Sequence, residues 1–355
     1  MQRRALISGS GAWATLSLIG LTHCQRAPRR EEVLVQLVRE VMVPETRALV
    51  KTSEHLRHAV STLSATPTLA SLGFARTAFA QALLAWKAAQ CFKSGPLVET
   101  NALVRASFWP ARPAAIESLV NGADAIDPAR VEALGVDVKG LYALEYLLYP
   151  VALSEEAALA LLSSEPGRRR LRLADALASD IYACSARANT ALGNGSDWER
   201  RFSQASKQGI DKVVTQMIAT AETLAVNHIG SVLGLAESNL LKPSDVEGAP
   251  SQLSQRLVLT ELEAIEKLYR AGDGDSLSAL VRGIAARIDD RVQRAFAEAR
   301  HAVSALGAPL EVVVKRDRTL LSRALAATKA LEIALKVELA SALGVTLTFQ
   351  MGDGD

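Results

Sequence analysis

Apolar residues recur at steps of three and four along most of the chain beyond residue 30, and this spacing constrains the fold more than any other feature. It matches the buried face of an amphipathic α-helix, which repeats about every 3.6 residues. Four stripes show it most clearly: Phe79, Leu83 and Trp86; Ile210, Val214, Met217, Ala221, Leu224 and His228; Val258, Leu262, Ile265 and Tyr269; and Ala324, Leu331, Leu335, Leu339 and Ala342. Alternation with period two is nearly absent, and the best strand candidate, residues 311–315, is short. The pattern predicts an all-α protein built of helical bundles.

The chain has 355 residues. Because a domain commonly takes roughly 100–200 residues, this length suggests about two domains. Turn-forming residues interrupt the helical pattern repeatedly, and the glycine-rich segment 193–196 falls near the middle of the part beyond residue 30. We therefore predict an N-terminal helical bundle over residues 30–195 and a C-terminal helical bundle over residues 196–355, packed together.

Charge and cysteine content exclude several classes of protein. The 40 Lys and Arg residues nearly balance 38 Asp and Glu, and no basic block is interleaved with aromatic residues, so nucleic acid is not an expected partner. Three cysteines without a Cys-x-x-Cys pair do not indicate a disulfide scaffold, a structural zinc or a redox site. If Cys24 is lipidated in an oxidising compartment, Cys91 and Cys184 are the remaining thiols and could pair.

Residues 1–24 differ from the rest of the chain and predict an export signal. A basic start at residues 2–4 precedes an uncharged run over residues 5–21, which is short for a transmembrane helix and suits a cleaved signal. Arg3-Arg4 resembles a twin-arginine start, although any basic leader would share it. Segment 21–24 resembles a lipobox with Cys24 as the lipidated residue. We expect a protein of the periplasm or cell envelope, held to a membrane only by such a lipid.

Segment 140–150 is the most unusual part of the sequence. One helix face would carry leucines and the other polar groups: Leu141, Leu144 and Leu148 against Tyr142, Glu145 and Tyr149. Such a helix is apolar nearly all round, so we expect burial on most sides. Glu145 would then be a lone carboxylate in a low-dielectric place, which is unfavourable unless the group is paired, metal-bound or protonated.

Two interpretations of Glu145 are open at this point. In the first, it pairs with an arginine or accepts a hydrogen bond from a tyrosine hydroxyl, and only fixes the register of the helix. In the second, it binds a metal ion or handles a proton, and Tyr142, one turn earlier, offers a phenolic oxygen to the same site. A phenolate suits ferric iron, although the metal must drive deprotonation of a group whose free pKa is about 10.

The segment Gly140-x-Tyr142-x-x-Glu145 resembles the G-x-H-x-x-E motif of the imelysin family of bacterial cell-envelope proteins. Other landmarks agree in order and spacing: Trp86 followed by Gly95-Pro96, then Phe108-Trp109-Pro110, Lys242-Pro243-x-x-Val246-Glu247, and the ending Leu347-Thr348-Phe349-x-x-Gly352-Asp353-Gly354-Asp355. The resemblance spans about residues 33–355. It implies two packed helical bundles and a pocket between them that the motif residues line.

Carried over by position, Gly140 matches the motif glycine and Glu145 its glutamate, whereas Tyr142 stands where the family has histidine. A tyrosine hydroxyl would favour Fe(III) or simple hydrogen bonding over zinc or ferrous iron. The substitution leaves two expectations, a shifted ligand preference or a site that has become structural. The family is named as a peptidase, but the usual helical zinc signature with two histidines four residues apart is missing here.

Other candidate residues rank lower. His228 ends the second apolar stripe and should point into a bundle, as a core histidine or as an additional metal ligand from the second half. His55 and His58 should lie on a solvated helix face. Solvation is also expected for three glutamates that lack the histidine of a Glu-x-x-His di-iron pattern: Glu261, Glu263 and Glu266. Residues 273–275 and 353–355 are expected to form a turn and a chain end rather than calcium sites.

Taken together, these features predict an exported imelysin-like protein of the cell envelope that binds iron or another metal ion, or a small ligand, near Glu145. Its expected partners are components of envelope iron uptake. Two alternatives are a metal-dependent peptidase and a non-catalytic scaffold with a degenerate site.

Overall fold

The computed structural model describes residues 26–93, 95–150, 153–193, 195–235, 246–272 and 274–346. The predicted export signal with Cys24, part of the 242–247 landmark, Asp273 and the ending 347–355 lie outside these residues. Within them every regular element is a helix and none is a strand, so the all-α prediction is confirmed. None of these helices combines the length and the apolar character that crossing a bilayer requires.

Ten helices precede Gly193 in the described residues. They are α1 (Arg30–Leu37), α2 (Val43–Ala65), α3 (Leu69–Gln90), α4 (Pro96–Glu99), α5 (Ala102–Ser107), α6 (Pro113–Asn121), α7 (Pro128–Glu132), α8 (Gly140–Leu148), α9 (Glu155–Ser163) and α10 (Glu165–Leu192). A π-helical turn, Val38–Met42, joins α1 to α2, and a 3-10 turn, Val136–Val138, comes just before α8. Side-chain caps fix several starts; the Thr68 hydroxyl, for example, accepts from the Ser71 N–H at 3.1 Å at the start of α3.

Seven helices follow in the second part of the described chain. They are α11 (Asp197–Gln204), α12 (Ser206–Thr223), α13 (Ser254–Arg270), α14 (Leu277–Ser304), α15 (Leu310–Arg316), α16 (Arg318–Ile333) and α17 (Ala340–Leu343). Two π-helical turns extend α12 and α16, over Leu224–Gly230 and Ala334–Leu339. The helix α14 is kinked at Ala285, whose φ of −155° and ψ of 85° are extended.

Two buried apolar clusters organise these helices. One joins α2, α3, α8 and α10, and the other joins α12, α13, α14 and α16. The apolar stripes predicted from the sequence lie in these cores; Phe79, Trp86 and Tyr269 are fully buried. Apolar residues between 33 and 43, at the start of the predicted first bundle (30–195), contribute to the second cluster. The boundary at 193–196 stays a prediction. The helix α3 also packs against α13, which connects the two clusters.

The best strand candidate, residues 311–315, is helical as well, because these residues belong to α15. Leu310 and Val313 are buried one helical turn apart, and this burial outweighs the strand preference of the adjacent valines. The Ser254 hydroxyl accepts a hydrogen bond from the Leu310 N–H at 2.9 Å, which satisfies a donor at the start of the helix.

Candidate metal centre

Gly140 allows the motif helix α8 to begin in close contact with the end of α5. Its φ is +76°, a left-handed conformation that side chains disfavour. A Cβ atom at this position would lie 2.7 Å from the Ala106 carbonyl oxygen and 2.8 Å from that of Arg105. The helix that follows is buried at eight of its nine positions, as its apolar pattern predicts. Glycine is therefore required here both by conformation and by space.

Glu145 lies in α8 with 3% of its surface exposed. Its Oε1 accepts hydrogen bonds from the Ser251 hydroxyl and from the Ser251 N–H, the latter at 3.2 Å. Burial raises the pKa of Glu145 to about 7, although the hydrogen bonds from Ser251 oppose the shift. Across the described ranges no arginine or lysine forms an ion pair with it. Its partner is thus a serine of the second half of the chain, and neither the arginine nor the tyrosine that the sequence suggested.

Tyr142, one turn before Glu145, is also buried, and its hydroxyl donates a hydrogen bond to Glu247 Oε1. Burial and the charge of Glu247 raise the pKa of Tyr142 well above its ordinary value. The phenol therefore stays protonated and acts as a donor. Both motif side chains bind one segment, residues 246–253, which we call the acidic turn.

Glu247 of the acidic turn is the centre of a buried cluster of charges. The Lys87 ammonium lies 2.8 Å from its Oε1 and 2.9 Å from its Oε2. The same ammonium lies 2.9 Å from Glu261 Oε1 on α13, and His228 Nδ1 lies 3.3 Å from Glu247 Oε2. The cluster therefore joins α3, the acidic turn, α13 and the π-helical turn that extends α12.

The charges in this cluster stabilise one another. Burial alone would lower the pKa of Lys87, but the charges of Glu261 and Glu247 outweigh it and raise the pKa above its usual value. Burial alone would raise the pKa of Glu247, but the charge of Lys87 first, and then that of His228 and the hydrogen bonds, hold it below its ordinary value. Lys87 is therefore an ammonium ion and Glu247 a carboxylate at neutral pH.

A cavity of about 580 Å³ opens beside the cluster. Lys87, His228, Glu247 and Glu261 line it on one side, while Phe108 and Trp109, each more than a third exposed, line it as well. This volume lies in the range of small-molecule sites. Tyr142 and Glu145 are not among the residues that line it; they lie behind Glu247 and hold the acidic turn in place.

His228 faces this cavity from the π-helical turn Leu224–Gly230. Its side chain is 14% exposed. A π-helical turn adds a residue to the helical repeat and re-aims the side chains that follow, and such turns are common at functional sites. The expectation that His228 points inward from the second half agrees with this placement.

The residues of this cluster fit a metal ion. One ligand atom from each of His228, Glu247 and Glu261 lies within 4.8 Å of the other two. One imidazole and two carboxylates form a donor set suited to iron, manganese or zinc. Glu261 Oε1 is buried and lies 2.9 Å from the Lys87 ammonium, so a cation already occupies this side of the donor set.

Sequence reasoning missed three members of this cluster, Lys87, Glu247 and Glu261, and it also misjudged Glu266, which lies outside the cluster. Glu261 and Glu266 were expected to be solvated, but both are buried, and only Glu263 is exposed. Burial is tolerated because each has a cationic partner: Lys87 for Glu261, and Arg300 and Arg270 for Glu266. Lys87 is a lone charged residue in a mostly apolar helical stretch, which is the same sequence feature that singled out Glu145. Glu247 was noticed only as part of a landmark.

The remaining candidates lie apart from the cluster. His55 and His58 are exposed on α2, as expected of a solvated face. Cys91 and Cys184 are both buried free thiols in the structure, so the disulfide that they could have formed is not made.

Comparisons with known proteins agree with this fold. The imelysin family model matches residues 42–337. Two solved structures share the architecture: a putative iron-regulated protein A precursor from Parabacteroides distasonis, at 16% identity and a TM-score of 0.73, and an imelysin-like protein from Psychrobacter arcticus, at 15% and 0.72. Each similarity covers 90% of this chain and 97% of the other. No functionally curated protein matches the sequence. Since the family match covers most of the chain and the fold agrees with it, the chain belongs to the imelysin family.

Proposed function

We propose that this imelysin-family protein binds a metal ion in the cell envelope and that His228, Glu247 and Glu261 are its ligands. The observation that carries the proposal is the convergence of these three side chains, from three separate segments, on the wall of one cavity. Two carboxylates, Glu247 and Glu261, face the single ammonium of Lys87, and this excess of carboxylates favours a cation. Iron(II), manganese(II) and zinc(II) are the ions that this donor set suits best.

The replacement of the family histidine by Tyr142 is consistent with this arrangement. The phenol donates to Glu247 and so orients that carboxylate, as residues behind a metal ligand commonly do. Glu145 holds the same turn through Ser251. In this chain the motif would thus support the site, and the ligands would come from the second half.

A metal-dependent peptidase is the weaker alternative. It requires a strong ligand near Glu145 and a position for a metal-bound water. Among the described residues the hydrogen-bond partner of Glu145 is Ser251, and Glu145 is not a member of the metal-binding group. The scaffold alternative is favoured by Lys87, which already forms ion pairs with both carboxylates without any metal.

Metal titration of the purified protein tests the proposal. Isothermal titration with Mn(II), Zn(II) and, under anaerobic conditions, Fe(II) should show one site per chain. Glu261→Gln and His228→Ala should weaken binding by about tenfold or more, because each removes a ligand. Matched controls are Glu263→Gln, on the exposed side of α13, and His58→Ala, which should leave the affinity unchanged. Absence of binding, or equal affinities for Glu261→Gln and Glu263→Gln, would favour the scaffold.

We further propose that the protein reaches the envelope through the export signal at residues 1–24, with Cys24 as a lipid anchor, and there serves partners in iron uptake. Cell fractionation tests the route. The protein should leave the cytoplasm, and Cys24→Ala should move it from the membrane fraction to the soluble periplasm. Retention of both forms in the cytoplasm would contradict export, and an unchanged membrane fraction would contradict the anchor.

A further inference from the structure

The Lys87 ammonium lies between the carboxylates of Glu247 and Glu261, where a bound metal ion would also have to lie. Its side chain is 6% exposed, and its ammonium lies 2.8 Å from Glu247 and 2.9 Å from Glu261. Among the lysines and arginines of the described chain, Lys87 alone pairs with these carboxylates, and it pairs with both. The ammonium thus stands between two of the three proposed ligands.

We infer that Lys87 is a specificity-determining residue of the metal site: a built-in cation that an incoming metal ion must displace. The inference rests on the proposed function, since it concerns the same site. A metal ion bonds to carboxylate oxygen at about 2.0–2.2 Å, which is roughly 0.7 Å closer than the ammonium approaches. Metal and ammonium therefore cannot both occupy the space between Glu247 and Glu261.

Displacement is sterically feasible because Lys87 itself lines the cavity of about 580 Å³. Its long side chain can turn away from the carboxylates into this space, where the ammonium would be hydrated. If the lysine packed against a closed core instead, metal binding would leave its ammonium buried without a carboxylate partner, which is strongly unfavourable.

The charge arithmetic gives the exchange its selectivity. A monovalent ion that replaces the ammonium leaves the charge of the carboxylate pair unchanged and gains nothing, whereas a divalent ion adds one unit of positive charge. The site should therefore reject sodium and potassium. It should also bind divalent ions more weakly than the same ligands would without Lys87.

The test compares the natural protein with Lys87→Met and Lys87→Gln in titrations with Mn(II) and Zn(II). We expect both variants to bind each ion about tenfold or more tightly, because the competing cation is gone. Lys87→Arg retains a cation and should not tighten binding. Lys93→Met is the matched control, since Lys93 is exposed and lines the same cavity. Without metal, Lys87→Met should melt at a lower temperature than the natural protein. Addition of Mn(II) should raise the melting temperature of the variant again.

The outcomes separate this inference from the proposed function. Equal affinities of the natural protein and Lys87→Gln would overturn the inference and leave metal binding intact. Binding by Lys87→Gln but not by the natural protein would support the inference and contradict metal binding as the function of the natural chain. Absence of binding by every form would overturn both. If Lys87→Met fails to fold, the amide of Lys87→Gln can still donate to the carboxylates and gives the same comparison.

Discussion

Tyr142 and Glu145 lie one turn apart in α8, and each has a different task. The phenol donates to Glu247, while the carboxylate accepts from Ser251, so both side chains fasten the acidic turn to the motif helix. The lone acid that burial makes unfavourable is thus tolerated because it holds a segment from the other half of the chain. Side chains with such structural tasks should affect stability even when no ligand is present.

Tyr142→Phe should lower the free energy of unfolding by about 1–3 kcal/mol, because a buried carboxylate loses a hydrogen bond. It should also weaken metal binding, since Glu247 loses its orientation. Chemical denaturation and metal titration measure the two effects. Tyr182→Phe is the control: that ring is half-buried and its hydroxyl makes no hydrogen bond to the described residues. Equal effects of the two substitutions would contradict the assigned role.

Glu145→Gln should stabilise the protein in a pH-dependent manner. The folded pKa of Glu145 is about 7 against an ordinary value of 4.5. Its stabilising contribution is therefore complete below pH 4.5 and is lost as the pH rises through 7. The free energy of unfolding of the glutamine variant should then be about 3 kcal/mol higher than that of the natural protein at pH 8, and nearly the same near pH 4. Denaturation at a series of pH values checks this. A difference that does not change with pH would be inconsistent with a buried, titrating Glu145.

Two elements position the residues of the site: the helix α8 and the π-helical turn that extends α12. Gly140 lets α8 start against the backbone of Ala106, which sets how closely the motif approaches the acidic turn. The π-helical turn Leu224–Gly230 places His228 at the cavity. Both depend on local backbone geometry, so changes there should disturb the site from a distance.

Gly140→Ala should destabilise the protein by more than about 2 kcal/mol, because it adds a left-handed strain and a backbone clash. Gly73→Ala is the matched control. Gly73 lies exposed in α3 with no atom within 4 Å of an added Cβ, so alanine there should stabilise by about 0.5–1 kcal/mol. Thermal or chemical unfolding of the two variants measures both effects. If Gly140→Ala is as stable as the natural protein, α8 can shift to accommodate the added Cβ, and the prediction is wrong.

For the whole molecule, the helical fold could be predicted from the sequence, but the buried cluster of charges around Glu247 could not. Helical stripes such as Phe79 to Trp86 repeat locally, so a short window reveals them. The cluster unites Lys87, His228, Glu247 and Glu261, which are far apart in sequence and meet only because α3 packs against α13 and the acidic turn folds back onto α8. No local pattern records such contacts. The lone-charge argument that singled out Glu145 would have found Lys87 had it been applied to α3.

Anomalous X-ray scattering from crystals grown with Mn(II) or Zn(II) would locate a metal ion bound to His228, Glu247 and Glu261 without reference to activity. We expect one strong peak among His228, Glu247 and Glu261, with the Lys87 ammonium turned into the cavity. Glu261→Gln crystals should lose the peak. A peak between Tyr142 and Glu145, or no peak in crystals of the natural protein at saturating metal, would contradict this expectation.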